Sequence, residues 1–392
     1  MNAAASPVII SAKRTPIGRF LGGLSRLPAT KLGSIALEGV LADVPVKDHV
    51  DELVMGCVLQ ANLGQNPARQ AGLGAGLNDD LIAYTVNKVC GSSLKCVMLA
   101  AQSIKAGDAS CVLAGGMENM SLAPHMIQAR GLKFGDTPAV DHMRKDGLHC
   151  AFQDWAMGNA ADYIAEKYNV TREDQDKFSY ASHMKAAEAA EKGYFKNEML
   201  PIDAATARQK RDINTDEGVR ADTTLEKLAS LRPAFDKNGT VTAGNASQIS
   251  DGAAAVAVCS LEKAEELGVK PLARIVSYHT HGVPPKELFY APVGAVEGCL
   301  KKAGLTVGDV DLFELNEAFA AQAVCNIRGL GIPEEKVNVC GGGVAIGHPI
   351  GASGARVLVT LIHQMHRLNA ERGVASLCLG GGNAVAMLIE KM

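Results

Sequence analysis

Polar and apolar positions along this 392-residue chain fall into short apolar runs separated by longer stretches with helical spacing. Near the start, VIISA reads as a buried strand that leaves through the polar, Gly-marked turn KRTPIG. After Pro28, ATKLGSIALEGVLADV repeats its apolar residues every three to four positions, which predicts a helix. An acidic-start strand follows, DELVMGCVL from Asp51. A β-prone run, Tyr84 to Val89, then ends at Cys90, and the helical pattern LKCVMLAAQSIKAG runs to Gly107. SCVLAGGMENM from Ser110 closes the stretch on a strand with a glycine pair. Strands alternating with helices predict an α/β protein whose sheets are covered on both faces.

The same order recurs about 260 residues later. ARIVSYHTHGV from Ala273 matches the first strand and turn, and APVGAVEGCLKKAGL from Ala291 matches the first helix. DVDLFELNEAF from Asp309 matches the acidic-start strand. His348 stands where Cys90 stood, in a Gly-rich turn before a helix, and SLCLGGGNAVAM from Ser376 matches the closing strand. The repeat predicts two similar α/β halves, residues 1–117 with 251–271 and residues 272–392. Residues 118–250 have no counterpart and predict an inserted loop domain. It contains one strongly amphipathic helix beginning TREDQDKFSYASH, with Thr171 as N-cap and Glu173 and Asp174 in its first turn. An insertion beside a catalytic turn is expected to shape the substrate site.

Composition narrows the function classes. With 47% apolar and 21% charged residues the chain is an ordinary globular one, and its net charge of −3 offers nothing to a nucleic acid or an anionic membrane. No apolar run approaches the roughly 20 residues that span a bilayer. Ten cysteines without CxxC pairs, and no secretory leader before MNAAASPVIISAKR, fit free thiols in the cytoplasm. His363 and His366 share a helical face but lack further ligands nearby, so a solvated face is expected rather than a metal site. Gly115-Gly116 is expected to permit close packing at the centre of the fold.

Reactive side chains gather at Gly-rich or strand-end turns: Cys90 in VCGSS, Asn316 in LNEAFA, His348 in GGGVAIGHPIGASGA and Cys378 in LCLGGGN. A cysteine at a strand-to-helix turn sits near unpaired N–H groups and the positive end of a helix dipole, which predicts a stabilised thiolate. The N–H groups of Gly380, Gly381 and Gly382 offer an oxyanion site. A nucleophilic thiolate, an imidazole to take its proton, a second thiol and an amide side chain suit acyl transfer through a thioester followed by carbanion attack. The second cysteine is the diagnostic part, because proton removal beside a thioester carbonyl needs a second base.

The runs NKVCGS, GQNPARQ (64–70), RPAFDKNGTVTAGNAS (232–247), NEAFAAQ (316–322), GHPIGASGAR (347–356) and CLGGG (378–382) resemble the thiolase family, its biosynthetic type, over essentially the full length. The resemblance implies duplicated α/β halves, each with a five-stranded mixed sheet, layered around shared helices and carrying a loop domain that grips coenzyme A. It implies reversible Claisen condensation of two acetyl-CoA to acetoacetyl-CoA and coenzyme A, with no cofactor beyond coenzyme A as substrate and product. Cys90 would be the acylated nucleophile, His348 its base, Cys378 the acid/base at the α-carbon and Asn316 the holder of a water at the enolate oxygen. The N–H groups of Cys90 and Gly380 would form the other oxyanion hole. Arg220 would serve the nucleotide end of coenzyme A, and Leu148, Phe235, Ala243, Ser247, Ala318 and Phe319 the pantetheine path. Family members are dimers or dimer-of-dimers tetramers, so a homotetramer is implied.

The chain departs from the family pattern at Ser93, Ala156, Gln248 and Asn383, and most of all at LFYAPVGA (288–295), where Phe289 and Tyr290 are expected to narrow or reshape the acyl pocket. That keeps a broader 3-oxoacyl-CoA thiolase open. A condensing enzyme for carrier-protein substrates and a non-catalytic scaffold are the other readings.

Overall fold

The computed structural model describes residues 6–392; residues 1–5, assigned above to the first half, lie outside the described residues. The first sheet contains β1 (Pro7–Arg14), β2 (Glu52–Gly56), β3 (Ile82–Val86), β4 (Cys111–Asn119) and β5 (Ser250–Ser260), in the order β1-β5-β4-β2-β3. The second contains β6 (Ala273–Gly282), β7 (Leu312–Leu315), β8 (Arg372–Leu379) and β9 (Asn383–Lys391), in the order β6-β9-β8-β7. Both mix antiparallel and parallel pairs in the same sequence. The fifth position of the second sheet, equivalent to β3, is held by the single parallel bridge from Phe313 to Val337. Two antiparallel residue pairs, Val8 with Arg274 and Ile9 with Ala273, join the sheets edge to edge.

Each half supplies a helix to the layer between the sheets: α3 (Ser92–Ala106) from the first and α8 (Ser353–Leu368) from the second. Each touches strands of both sheets as well as its partner. α1 (Ala29–Asp43) and α2 (Pro67–Gly74) cover the outer face of the first sheet, and α6 (Ala291–Ala303) that of the second. A central layer has no solvent side, and α8 is accordingly buried without interruption from Ser353 to Ile362. β4 is buried at all nine positions for the same reason. α3 ends on Gly107, whose φ of 82° is the left-handed turn that glycine takes at little cost.

The loop segment adds α4 (Met157–Lys167), α5 (Arg172–Glu191) and α7 (Ala320–Leu330) packs against both from the second half. Thr171 is the expected N-cap of α5, and with Asp174 it closes a capping box. Its buried face differs from the apolar stripe expected: Gln175, Asp176, Ser179, Ser182 and His183 point inward. Each has a partner. Gln175 reaches Thr240, Asp176 holds Arg172 and Asn245, Ser179 bonds Gln175, Ser182 donates to Glu317, and His183 accepts the Arg220 N–H. The helix is a polar clamp on the segments around the cavity described below. The segment is also anchored by Arg14, wholly buried, which donates to Glu198 at 2.6 Å and to Asp216 at 2.7 and 3.0 Å. Removing one partner of such a buried pair typically costs about 3–5 kcal/mol.

The centre of the fold is packed on bare backbone. A Cβ on Gly116 would lie 2.2 Å from the Gly351 carbonyl oxygen, and one on Gly354 would lie 2.4 Å from the Leu94 nitrogen. The Ser93 hydroxyl accepts the Ala355 N–H at 2.8 Å, tying α3 to α8, so the departure at Ser93 has a structural use. Among the described residues no helix is long and apolar enough to cross a membrane. Gly116→Ala is expected to destabilise the protein by about 3 kcal/mol. A thermal melt beside the unmodified protein checks this, with an unchanged midpoint counting against backbone contact at the centre.

Candidate active site

Both central helices begin at the same place, and their N-terminal turns carry the reactive groups. Cys90 sits between β3 and α3 on a turn in which Val89 has φ 48°, a left-handed conformation that a β-branched residue adopts only under constraint. The constraint is visible: Asn87 Oδ1 accepts the Val89 N–H at 3.1 Å, and the Ser92 hydroxyl donates to the Val89 carbonyl at 2.6 Å. His348 lies on the turn before α8, where Gly347 (φ 119°) leaves room for Ser250 Oγ to accept the His348 N–H at 3.1 Å. Cys378 comes from the end of β8, and Gly380 from the turn that follows.

Cys90, His348, Cys378 and Gly380 line one cavity of about 380 Å³ together with Leu148, Phe235, Ser247, Ala318 and Phe319. Asn316 stands behind it, fully buried, with Nδ2 3.4 Å from each imidazole nitrogen of His348 and Oδ1 without a hydrogen-bond partner. Arg220 and Ala243 are not on this wall. They line an adjoining pocket of about 190 Å³ with His183, Lys227 and Gln248, and Gln248 borders both. Lys227 is engaged by Asp222 at 2.8 Å, whereas the Arg220 guanidinium has no ion pair among the described residues.

The imidazole has a defined tautomer. Ser353 Oγ donates to the Pro349 carbonyl at 2.8 Å, so at 2.6 Å from His348 Nδ1 it is left to accept, which puts the ring proton on Nδ1 and the lone pair on Nε2. Ser353 is a residue the sequence reading missed, though it stood in the GHPIGASG run. Burial, with a contribution from Arg356, pushes His348 down to about 3, so the ring is neutral at physiological pH.

The stabilised thiolate expected at Cys90 is opposed by desolvation. Burial pushes this thiol up to about 12, against the pull of the Gly380 and Cys90 N–H groups. Cys378 is also driven up by burial, and then by its nearness to Cys90, since two thiolates there would repel each other. Two amides converge on the nucleophile as expected, but desolvation outweighs them. Desolvation thus favours two thiols and a neutral imidazole, and a lone pair on Nε2 can accept a proton within the same cavity.

The departures resolve into distinct contacts. Phe289 lines the cavity and meets the Phe319 ring edge-on at 5.3 Å; Phe235 meets the same ring at 6.2 Å. Tyr290 turns away and stacks on Tyr168 at 4.2 Å, so of the two aromatics only Phe289 shapes the pocket. Ala156 lines the cavity, Gln248 ties the Gly218 and Ala345 carbonyls, and Asn383 accepts from Lys88 at 3.2 Å across the two halves. His363 and His366 each engage a main-chain carbonyl, and among the described residues no cluster could hold a metal ion.

A thiol at about 12 has a thiolate fraction that rises tenfold per pH unit, so iodoacetamide alkylation of Cys90 in the free protein should climb steadily from roughly pH 7 to pH 10. A plateau near neutrality would show a standing thiolate instead. Ser353→Ala leaves Nδ1–H unpaired and should lower kcat roughly 10- to 100-fold with little change in KM, measured by steady-state kinetics.

Comparison with known proteins places the whole chain in one family. The family model for the thiolase N-terminal domain matches residues 7–262, and that for the thiolase C-terminal domain matches residues 269–391. The chain is 50% identical over 389 residues to an acetyl-CoA acetyltransferase of Escherichia coli (strain K12), covering 98% of this chain and 99% of that one. It is 50% identical over 390 residues to an acetyl-CoA acetyltransferase of Cupriavidus necator, with the same coverage of 98% and 99%. The crystal structure of the Bacillus anthracis acetyl-CoA acetyltransferase superposes with a TM-score of 0.94 at 41% identity, over 100% of both chains.

Proposed function

This chain belongs to the thiolase family, and on that premise we propose that it is an acetyl-CoA acetyltransferase, interconverting two acetyl-CoA with acetoacetyl-CoA and coenzyme A. The observation that carries the proposal is the meeting of Cys90, His348 and Cys378 in one apolar cavity with Asn316 behind the imidazole. In the first half-reaction Cys90 Sγ attacks the acetyl-CoA carbonyl while its proton passes to His348 Nε2. The coenzyme A thiolate leaves with that proton, and acetyl-Cys90 remains. In the second, the Cys378 proton passes to His348 Nε2, the Cys378 thiolate takes an α-proton from another acetyl-CoA, and the carbanion attacks the acetyl carbon; the Cys90 sulfur is expelled and takes the proton from Nε2, so the Cys90 thiol re-forms as acetoacetyl-CoA departs. The Cys90 and Gly380 N–H groups serve the thioester oxyanion. The orphaned Asn316 Oδ1 suits a water that donates to it and to the enolate oxygen.

Proton inventory makes the two directions unequal. Burial keeps Cys378 as a thiol, which is the form that protonates the leaving enolate in thiolysis. Condensation starts only after that proton has been passed on. Arg220, a cation without an ion pair among the described residues in the adjoining pocket, suits the phosphates of coenzyme A, and the Leu148, Phe235, Ser247, Ala318 and Phe319 wall suits its pantetheine arm. A homotetramer fits the segment between the short strands His125–Met126 and Val140–Asp141, which exposes Ile127, Leu132 and Phe134 to solvent. The cytoplasm suits ten free thiols.

Thiolysis of acetoacetyl-CoA measured beside a long-chain 3-oxoacyl-CoA, with Cys90→Ser as control, tests the reading. Preference for acetoacetyl-CoA, lost in the variant, is expected; equal or faster turnover of the long chain would make this a broader 3-oxoacyl-CoA thiolase. Because Phe289 fills the pocket beside Phe319, Phe289→Ala should raise the relative rate on longer chains by roughly tenfold.

A further inference from the structure

A buried carboxylate that the mechanism above does not use lies beneath both reactive turns. Glu118, on β4, is 0% exposed and has no ion-pair partner among the described residues. Its two oxygens accept four donors instead. Oε2 takes the N–H of Val58 at 3.0 Å and of Gly351 at 2.9 Å, and Oε1 takes the N–H of Leu59 at 3.1 Å and the Cys57 thiol at 3.6 Å. All four are donors, which is the pattern a carboxylate satisfies and a carboxylic acid does not.

The contact to Gly351 crosses from one half to the other. Gly351 lies between His348 and Ser353, on the turn that fixes the imidazole tautomer, and a Cβ there would sit 2.6 Å from Glu118 Oε2. Only glycine lets this backbone reach the carboxylate. Val58 and Leu59 pack in one apolar cluster with Ile350 and Cys90, so the same side chain also holds the floor beneath the nucleophile.

We infer that Glu118 is a positioning residue for the proposed reaction: through backbone amides from both halves it fixes the His348 turn against the floor of the Cys90 turn, and it sets a buried carboxylate beneath that floor. The inference rests on the thiolase reading for its kinetic consequences and on geometry for its cause. Burial pushes Glu118 itself up to about 7 against the pull of the three amides, and its charge is one of the influences that raise Cys90. The other titratable groups lining the nucleophile's cavity are Arg144, His348 and Cys378, and Cys57 faces the carboxylate.

The test compares the full-length protein with Glu118→Gln and Glu118→Asp, each checked for a cooperative melt. Two quantities are read: coenzyme A-dependent thiolysis of acetoacetyl-CoA, and iodoacetamide alkylation of Cys90 at about pH 9. Gln removes the charge and turns an amide N–H₂ toward donors. It should lower kcat about tenfold or more with KM for coenzyme A within about twofold, and speed alkylation several-fold. Asp keeps the charge but not the reach, and should lower kcat while alkylation stays within about twofold of the unmodified rate. If only the Asp variant folds, that pairing alone carries the test. Unchanged kcat in either variant, or unchanged alkylation in a folded Gln variant, would overturn the inference, as would failure of both variants to fold, which would make Glu118 a structural staple. An unmodified protein without thiolysis would instead defeat the functional reading, and the alkylation comparison would still judge Glu118.

Discussion

The contact between α3 and α8 is the constraint on which the rest depends. The two helices lie back to back between the sheets and meet where glycine leaves no side chain, at Gly354 against Leu94, with Ser93 bonded to the Ala355 N–H. Each helix begins at a turn that carries one reactive group. Bringing the helices to backbone contact therefore brings Cys90 and His348 to one cavity. The sheets then add Cys378 and the Gly380 amide from the end of β8 and Asn316 from the end of β7. Stability and chemistry share the same few ångströms, so substitutions at the centre of the fold are felt in both.

Burial has a chemical consequence in this arrangement. The cavity is apolar enough that desolvation outweighs the amides aimed at Cys90, and the same desolvation keeps His348 neutral. Neither group is charged at rest, and neither needs to be. A neutral imidazole with its lone pair on Nε2 is the form that can accept a proton, and Ser353 supplies that form by accepting from Nδ1. Charge then develops only when substrate is present to share it, in surroundings where fixed N–H groups are worth more than they are in water.

Much of this was legible along the chain because the duplication repeats strand, turn and helix in fixed order, with Cys90 and His348 at equivalent turns and Cys378 at the end of the closing strand. The less legible features depend on contacts between distant segments. Spacing places Thr171 as a cap but does not reveal that α5 turns Gln175, Asp176 and Ser182 inward, since a polar face reads as a wet one until its partners are known. It places Phe289 and Tyr290 together but not on opposite sides, because Tyr290 is drawn off by Tyr168. The helix dipole at Cys90 is opposed by a desolvation that only the assembled halves create. Ser353 and Glu118 act through His348 and Gly351, and nothing in their local sequence distinguishes them from core polar residues.

The central claim is that a neutral His348 draws the proton from a half-buried Cys90 thiol as the acyl group arrives. Incubating the protein with acetyl-CoA and locating the acetyl group by peptide mass spectrometry, for the unmodified chain, His348→Ala and Cys378→Ala, tests it directly. The account requires acetyl on Cys90 in the unmodified and Cys378→Ala proteins and little or none in His348→Ala. Acetylation of Cys90 at the unmodified rate without the imidazole, or acetyl found on Cys378, would contradict it.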